Sequence, residues 1–379
     1  MRRNPCTRLV IWLLLGIAVC LPAKAVVVTD EDAVNLNPDV EYLEDPNGEL
    51  TVEAVRSGRY AGRFRSHDDS AALNLGLSDS VWWLRLELDS RAPAVSEYLL
   101  EVGYFGLVDV RFYPPDGAGL RTGYNEAVDE RPSPHRHFLF PITLRPDTDQ
   151  TYYLRVSSNG SVTVPLTLWK PDAFVISDRL QFAGLMIYFG VLFGLLLYNL
   201  FLFFSLRERQ YALYCAFLLF VGVAMTVHNG FRTYLLLAWP GWPDTLGTNS
   251  LFALAGIFGI LFVREFLATR REQPRLDGLL LALAGVFLVI ALLPALQVPV
   301  RFGSVAISIA GSLTGPVLLL ISFRSWRRGH PGARYLLLAW AFLLVAVFVQ
   351  ALRNFALIPT TVITGNLLQI GSLLEMLLL

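Results

Sequence analysis

Seven long apolar runs follow a polar N-terminal segment in this 379-residue chain, and they decide its architecture. Each run supplies the roughly 20 residues that a helix needs to cross a bilayer. The chain is 54% hydrophobic and 16% charged, whereas soluble proteins average about 25% charged residues. The pattern predicts a multi-pass protein of the lipid bilayer with a soluble domain ahead of it. The formal net charge of zero gives no indication of a nucleic-acid partner.

The first residues have the features of a secretory signal. Three arginines accompany the apolar stretch 9–21, and residues 23–25 are Ala-Lys-Ala, with small residues where a signal peptidase cuts. We therefore predict a signal peptide at 1–25, which exports the following domain. A lipoprotein anchor at Cys20 is the alternative, but Val19 is bulkier than such anchors usually have at that position.

Residues 26–177 alternate in the way of half-buried strands. In Val81–Asp89, the side chains of Leu84, Leu86 and Leu88 fall on one face, and the charged side chains fall on the other. Turn sequences rich in Pro, Gly, Asn and Asp separate the runs. The pattern predicts an all-β sandwich of jelly-roll type. Further strands are expected at 98–104, 107–113, 137–144, 151–158 and 162–169.

Cysteine usage indicates the compartment. After signal cleavage the outer domain contains no cysteine, and Cys215 lies inside an apolar run. An exported domain without disulfides is more typical of a bacterial periplasm than of a secreted animal ectodomain. We therefore expect a multi-pass protein of the bacterial inner membrane.

Several large side chains in the outer domain are candidates for binding a sugar or an apolar ligand. The alternative is that they pack in the core and at the rim of the sandwich. The candidate ligand-binding residues are Trp82, Trp83, Arg85, Tyr104, Tyr113 and Tyr124.

Catalytic and metal sites are not indicated. His135 and His137 would share a face if extended, but no third ligand has a defined spacing. No Ser-His-Asp or paired-carboxylate arrangement stands out. We expect no cofactor, no metal and no enzyme activity, and any kinase or cyclase module would lie beyond Leu379.

Residues 178–379 contain the seven-helix transmembrane domain, with short connections between the spans. The last run reaches the final residue. The spans are expected near 180–206, 211–230, 248–268, 277–296, 302–323, 333–353 and 362–379.

Arginine placement predicts the orientation of the bundle. Ten arginines lie at alternate loops and flanks, against three at the opposite ends of the second to seventh spans, so the first group is expected on the cytoplasmic side. The outer domain is then periplasmic, as the signal peptide also requires, and the C-terminus is cytoplasmic. The first group is Arg207, Arg209, Arg264, Arg270, Arg271, Arg275, Arg324, Arg327, Arg328 and Arg334, and the second is Arg232, Arg301 and Arg353.

Polar groups inside the spans are expected to face the interior of the bundle. Glu375 is an acidic residue well inside the last span, where it is either a switch element or one partner of a packing hydrogen bond. Small residues four apart, Gly190 with Gly194 and Gly311 with Gly315, predict close helix contacts. The candidate polar relay consists of Asn199, Gln350, Asn366, Gln369 and Glu375.

Two other classes of seven-helix or membrane protein are less well supported. The lysines are Lys24 and Lys170, and neither lies in a span, so a retinal Schiff base and with it a rhodopsin are excluded. A transporter or channel with an accessory outer domain stays as an alternative, although no inverted repeat or pair of broken spans is evident.

Three stretches resemble the bacterial seven-transmembrane receptors with diverse intracellular signalling modules (7TMR-DISM), and the outer part resembles the second of that family's two extracellular domain types. They are 81–86 with 98–113 and 151–156, then 194–205 with Tyr211 and Tyr214, and finally 365–379.

The resemblance implies a sandwich similar to carbohydrate-binding modules that binds a carbohydrate or another small ligand. It also implies relay through the helices to a cytoplasmic signalling module, such as a histidine kinase or a diguanylate cyclase. We expect that module to follow the seventh span, beyond Leu379. We expect the last helix to carry the change inward, in a homodimer.

Overall fold

The computed structural model describes residues 26–29, 31–91, 94–238 and 247–379. The predicted signal peptide at 1–25 lies outside the described residues.

The described part of the N-terminal domain is built from short strands and a few helical turns. One short helix, α1 (Val52–Arg56), lies among them. The strands are β1 (Val26–Val28), β2 (Ala33–Asn35), β3 (Glu41–Asp45), β4 (Arg65–Ser66), β5 (Leu73–Leu77), β6 (Val81–Ser90), β7 (Ser96–Val102), β8 (Asp109–Tyr113), β9 (Leu120–Thr122), β10 (Phe138–Leu144), β11 (Thr148–Ser157), β12 (Ser161–Val164) and β13 (Leu166–Trp169).

Two sheets pack face to face in the described part of this domain, and β5 and β12 form a further two-stranded sheet. The larger has the order β4-β3-β6-β11-β8-β9, with β1 beside β6, and the smaller has the order β10-β7-β13-β2. The rings of Phe112 on β8 and Phe140 on β10 stack across the interior, with centroids 4.9 Å apart. Their contact joins the two sheets, as expected of a β-sandwich.

Alternation along β6 places its apolar side chains in the core between the sheets. Leu84, Leu86 and Leu88 are fully buried, whereas Arg85 and Glu87 lie on the opposite face. The period-two pattern of the sequence therefore predicted both the strand and its orientation.

Two of the expected strands are arranged differently. β7 and β8 pair within different sheets, so the chain around Gly106 crosses between the sheets. The run expected at 162–169 is divided at Pro165, because proline has no N–H to donate to a ladder. Its first half, β12, pairs with β5, and its second half, β13, pairs with β7 and β2.

The C-terminal part is helical. Six helices of the described residues are long and apolar enough to cross a membrane, and a seventh apolar helix of 17 residues, α10, completes the bundle. The expected fold class, a sandwich followed by a seven-helix bundle, is confirmed. The helices are α2 (Pro171–Leu206), α3 (Arg209–His228), α4 (Arg232–Ala238), α5 (Thr248–Phe266), α6 (Thr269–Glu272), α7 (Pro274–Leu292), α8 (Val300–Arg327), α9 (Ala333–Asn354) and α10 (Val362–Leu378), of which α4 and α6 are short.

Small residues act as predicted in one helix pair and not in the first span. A Cβ at Gly311 would lie 2.9 Å from Val347, and one at Gly315 would lie 3.6 Å from Leu344, so these glycines let α8 approach α9. In contrast, a Cβ at Gly190 or Gly194 would meet nothing within 4 Å. The expectation of a helix contact at that pair is wrong within this chain, because this face of α2 points away from the described bundle.

Gly371 provides a test of the packing between the last two helices. A Cβ there would lie 2.6 Å from the Cβ of Ala346 and 3.0 Å from the carbonyl oxygen of Phe342, and both of those groups are held by α9. We predict that Gly371→Ala lowers the free energy of unfolding by about 1–3 kcal/mol, since the helices must separate. Thermal unfolding in detergent measures the loss. Gly194→Ala is the matched control, and equal stability of the two variants would contradict the packing.

Candidate functional site at the junction of the two domains

The first membrane helix starts inside the outer domain. β13 ends at Trp169, Lys170 is the N-cap, and α2 begins at Pro171, ahead of the boundary expected at 178. Proline suits the first helical turn because its missing N–H has no partner there. The 36 residues of α2 rise about 54 Å, well beyond the roughly 30 Å of hydrocarbon. The sandwich is therefore joined to the bundle by a continuous helix.

The second group of arginines, Arg232, Arg301 and Arg353, lies where the sandwich meets the bundle. Arg232 donates to the carbonyl oxygen of Tyr124 at 3.2 Å, and its guanidinium lies 4.5 Å from the centroid of that ring. Arg301 forms an ion pair with Asp79. The carbonyl oxygen of Arg353 accepts a hydrogen bond from the amide of Asn74 at 2.8 Å. Each of these arginines thus contacts the outer domain.

Backbone contacts also join the two domains. The N–H of Ala72 donates to the carbonyl oxygen of Thr360 at 3.1 Å, forming an antiparallel bridge between the sandwich and the segment before α10. The hydroxyl of Thr233 in α4 donates to the carbonyl oxygen of Glu126 at 3.0 Å. The junction is thus held at several points around the outer end of the bundle.

A charged cluster connects the sandwich to the start of α2. His135 Nε2 lies 3.0 Å from Asp178 Oδ1, and Arg136 Nη2 lies 3.0 Å from the same oxygen. His137 Nδ1 lies 2.5 Å from Glu101 Oε1. Asp178 belongs to α2, so the cluster ties a loop of the outer domain to the first membrane helix.

The two histidines each pair with a different carboxylate. Their rings meet edge to face, with centroids 5.3 Å apart. No group of three His, Cys, Asp or Glu side chains that could hold a metal occurs in the part of the chain that the structure describes. The cluster is better described as a hydrogen-bonded group at a domain junction, in which Arg136 and Asp178 form an ion pair.

Burial governs protonation in this cluster. Burial lowers the pKa of the His135 imidazole to about 4, His137 adds to the lowering, and Asp178 opposes it. For Glu101, burial acts to raise the pKa, but hydrogen bonds from His137 and Trp169 outweigh it and hold the carboxyl pKa below its usual value. Glu101 is therefore an ionised carboxylate at neutral pH, and His135 is neutral.

A cavity of about 1500 Å³ lies between the sandwich and the bundle and extends into the bundle interior. Polar side chains of both domains line its outer part, and apolar side chains line its inner part. The outer set includes Glu101, Tyr104, Tyr124, Arg136, His137, Asn229, Arg232, Gln350, Arg353, Asn354 and Gln369, and the inner set includes Phe217, Ile260, Phe287, Leu318, Trp340 and Leu343.

The six candidate ligand-binding residues do not form one surface. Trp82 is buried in the core of the sandwich. Trp83 is fully buried on the other face of β6, where it stacks on Tyr113 at 5.6 Å between centroids. Arg85 lies on the same face as Trp83 and bonds Glu41.

Tyr104 and Tyr124 are placed differently, since both line the cavity. They lie on the connections that follow β7 and β9. These two of the six candidates are therefore the ones positioned to touch a ligand that contacts both domains.

The polar residues of the spans also divide into groups. Gln350, Asn366 and Gln369 line the cavity, and Gln369 donates to Asn229 at 2.5 Å. Asn199 donates to the carbonyl oxygen of Leu195 in its own helix at 3.0 Å. Of the five, three are therefore brought together at the cavity.

Glu375 is fully buried beneath the cavity. It accepts a hydrogen bond of 3.5 Å from the Tyr214 hydroxyl of α3. One turn earlier in α10, Ser372 hydrogen-bonds the Tyr188 hydroxyl of α2 at 3.0 Å. The last helix is thus bonded to the first two helices of the bundle.

Sequence reasoning missed the cavity and three of its charged residues, Glu101, Arg136 and Arg353. Arg353 did carry a signal, because it is one of few arginines on the side that the positive-inside rule disfavours. Glu101 and Arg136 carried none, since charged residues of a sandwich usually lie on its solvated surface.

The depressed pKa of His135 predicts a pH effect on stability. Between about pH 6.5 and pH 4 the unfolded chain binds a proton at this histidine that the folded chain rejects, so the protein should lose stability as the pH falls through that window. The loss is roughly 3 kcal/mol at most. Glu101 adds a loss in the same direction at still lower pH, because its folded pKa is depressed.

Thermal unfolding of wild type and His135→Asn at several pH values measures this effect. The variant should show a flatter dependence between pH 6.5 and 4. His67→Asn, which replaces a histidine outside the cluster, should keep the wild-type dependence. An unchanged slope in His135→Asn would show that this imidazole is not the group responsible.

Family models match both parts of the chain. The model described as 7TM diverse intracellular signalling matches residues 182–379, and the one described as 7TMR-DISM extracellular 2 matches residues 37–170. No curated protein sequence matches the chain. The first match covers more than half of the chain, and the second covers most of the sandwich. The chain belongs to the seven-transmembrane family with diverse intracellular signalling modules, and its outer domain is that family's type 2 extracellular domain.

Proposed function

We propose that this membrane receptor senses a small molecule on the periplasmic side of a bacterial inner membrane and relays its binding to a cytoplasmic signalling module. The observation that carries the proposal is the cavity at the domain junction, because side chains of the sandwich and of the bundle line it together. A molecule bound there contacts both domains at once. The affinity of the receptor for this molecule therefore depends on the position of the sandwich relative to the bundle.

The coupling needed for such a receptor is modest. Two arrangements of the junction that differ in ligand affinity would shift in population on binding, and a coupling free energy of about 1–3 kcal/mol is ordinary. The solvent-exposed pair of Arg301 with Asp79 can open at little cost, since exposed ion pairs contribute little to stability. The sandwich and the bundle each have a buried core of their own, which holds that domain together while the junction changes.

A contiguous route through the bundle supports the relay. α2 leaves the sandwich without a break, and Tyr188 on α2 bonds Ser372 on α10. We propose that a tilt or shift of α2 moves α10, which continues toward the cytoplasmic side. Glu375 then has the packing role of holding α10 to Tyr214 rather than the role of a charged switch.

A carbohydrate ligand, as the resemblance implied, would stack on Tyr104 and Tyr124, since these two candidates line the cavity. A homodimer stays a prediction of the sequence.

A disulfide across the junction tests the relay. Ala72 and Thr360 form an antiparallel bridge, in which Cα atoms lie about 4.5–5.5 Å apart, within the range that a disulfide spans. In the receptor joined to its output module, Ala72→Cys with Thr360→Cys should hold the junction in one arrangement. We predict that output becomes insensitive to stimulus and that a reductant restores the response.

Each single-cysteine variant is the matched control and should respond like the wild type. Formation of the bond is checked by a mobility shift without reductant. A fully oxidised receptor that still responds normally would show that the signal does not pass through movement at this junction.

A transporter is the second candidate, because the cavity reaches into the bundle as far as Phe217, Trp340 and Ser372. Its lining does not include Tyr214 or Glu375, which lie nearer the opposite end. Uptake of a labelled solute into proteoliposomes would favour transport if substitution of Phe217, Trp340 or Ser372 abolished it. Output that responds to stimulus in the absence of any flux would favour the receptor.

A further inference from the structure

Three side chains that line the cavity carry buried polar atoms without a protein partner. They are the hydroxyl of Ser250, the indole Nε1–H of Trp340 and the Nε–H of Arg353. All three groups can donate a hydrogen bond, and two of them can only donate. Unsatisfied buried donors are costly, and these three belong to residues that line the same cavity.

Arg353 is the charged member of this set. Its Nη1 donates to Gln350 Oε1 and to the carbonyl oxygen of Thr364, both at 3.1 Å, and both acceptors are neutral. No carboxylate lies within 4.0 Å of its guanidinium among the described residues. A cation in the outer part of a helix bundle is unfavourable unless an opposite charge accompanies it.

The other charged groups of the cavity have partners. Arg136 is paired with Asp178, and Glu101 is paired with His137. Arg232 bonds the side-chain oxygen of Asn125 at 3.1 Å. Unlike Arg136, Arg353 is therefore a cation of this cavity that no carboxylate of the described residues pairs with.

Below Arg353 the cavity wall becomes apolar. Phe217 and Trp340 stack there with centroids 5.9 Å apart, and Phe287, Leu318 and Leu343 continue the surface. A purely polar ligand would leave this surface uncovered. The volume of about 1500 Å³ exceeds the roughly 300–1,000 Å³ of ordinary small-molecule sites, so it has room for both a head group and a chain.

We propose that the cavity binds a single-chain amphiphile whose anionic head group pairs with Arg353 and whose aliphatic chain lies along Phe217 and Trp340. This assignment rests on the proposed function and names the ligand class for it. A carboxylate and a phosphate monoester share the chemistry that Arg353 recognises, since both accept charge-assisted hydrogen bonds from a guanidinium. The chain contributes affinity through the apolar area that it removes from water.

Trp340 provides a direct readout, because bromine quenches tryptophan fluorescence at short range. The probe is 11-bromoundecanoate, added to the full chain in nanodiscs of zwitterionic lipid. We expect saturable quenching, and the saturable part should disappear in Trp340→Phe. Non-saturable quenching that persists in that variant reports probe dissolved in the bilayer. If Trp340→Phe retains the full saturable component of quenching, the proposed position of the aliphatic chain of the ligand is wrong.

The head group is tested by the matched probe 11-bromoundecanol, which keeps the chain and lacks the charge. We expect it to bind the wild type at least about tenfold more weakly than the acid, since it loses a charge-assisted hydrogen bond. This comparison uses the wild type, so it stands even if a variant fails to fold. Equal binding of acid and alcohol would overturn the proposal.

The role of Arg353 is tested by substitution. Arg353→Gln should weaken binding of the acid at least about tenfold and leave binding of the alcohol unchanged. Arg353→Lys should restore part of the affinity for the acid, because it keeps the charge. Both variants are first checked for monodispersity and thermal unfolding. Unaltered acid binding in a folded Arg353→Gln would place the head group elsewhere and overturn the assignment.

The source of the anion is distinguished by 11-bromoundecyl phosphate. Tighter saturable binding than the carboxylate would indicate a phosphate-bearing lipid fragment, and weaker binding would indicate a fatty acid. Either result supports an anionic amphiphile. Failure of these binding tests would remove the ligand class alone, whereas failure of the disulfide test at Ala72 and Thr360 would remove the relay.

Discussion

A bilayer offers no water to a charged side chain, and this constraint determines how the two domains of the protein meet. Most arginines of the bundle lie at the end away from the sandwich. At the near end, the side chains of Arg232 and Arg301 contact Tyr124 and Asp79, and the main-chain carbonyl of Arg353 accepts a hydrogen bond from Asn74. These contacts place the outer domain directly on the helix ends.

Because α2 runs without a break from the sandwich into the bundle, a change in the position of the sandwich also moves the first membrane helix. A flexible linker would let the sandwich bind its ligand without consequence for the bundle, but here the last strand passes into a 36-residue helix after one residue. Any rotation of the sandwich must tilt α2 or break the contacts of Asp178 with His135 and Arg136. The cavity lies inside this frame, so an occupant that favours one seating acts on the helices as well.

Sequence reasoning reached the features that depend on local pattern. The alternation in β6 predicted which leucines enter the core, and the apolar runs predicted the seven helices. Features that depend on distant residues were beyond it: Asn74 and Arg353 are 279 positions apart, yet they bond each other. The aromatic candidates Trp82 and Trp83 show the same limit, because neighbours in a strand face opposite sides, and burial on either side cannot be read from composition. Gly190 and Gly194 have the spacing of a helix contact, but the bundle packs on another face of α2.

The central claim is that the sandwich and the bundle form one unit whose seating changes with occupancy of the cavity. Spin labels at Glu97 on the sandwich and Leu296 on the outer end of the bundle, both exposed positions, would report their separation by pulsed electron resonance. The account predicts one narrow distance distribution in the wild type, a shift to a second narrow distribution with ligand, and broadening when Arg232→Gln and Arg301→Gln are combined. A broad distribution in the wild type, unaffected by ligand or by these substitutions, would contradict it.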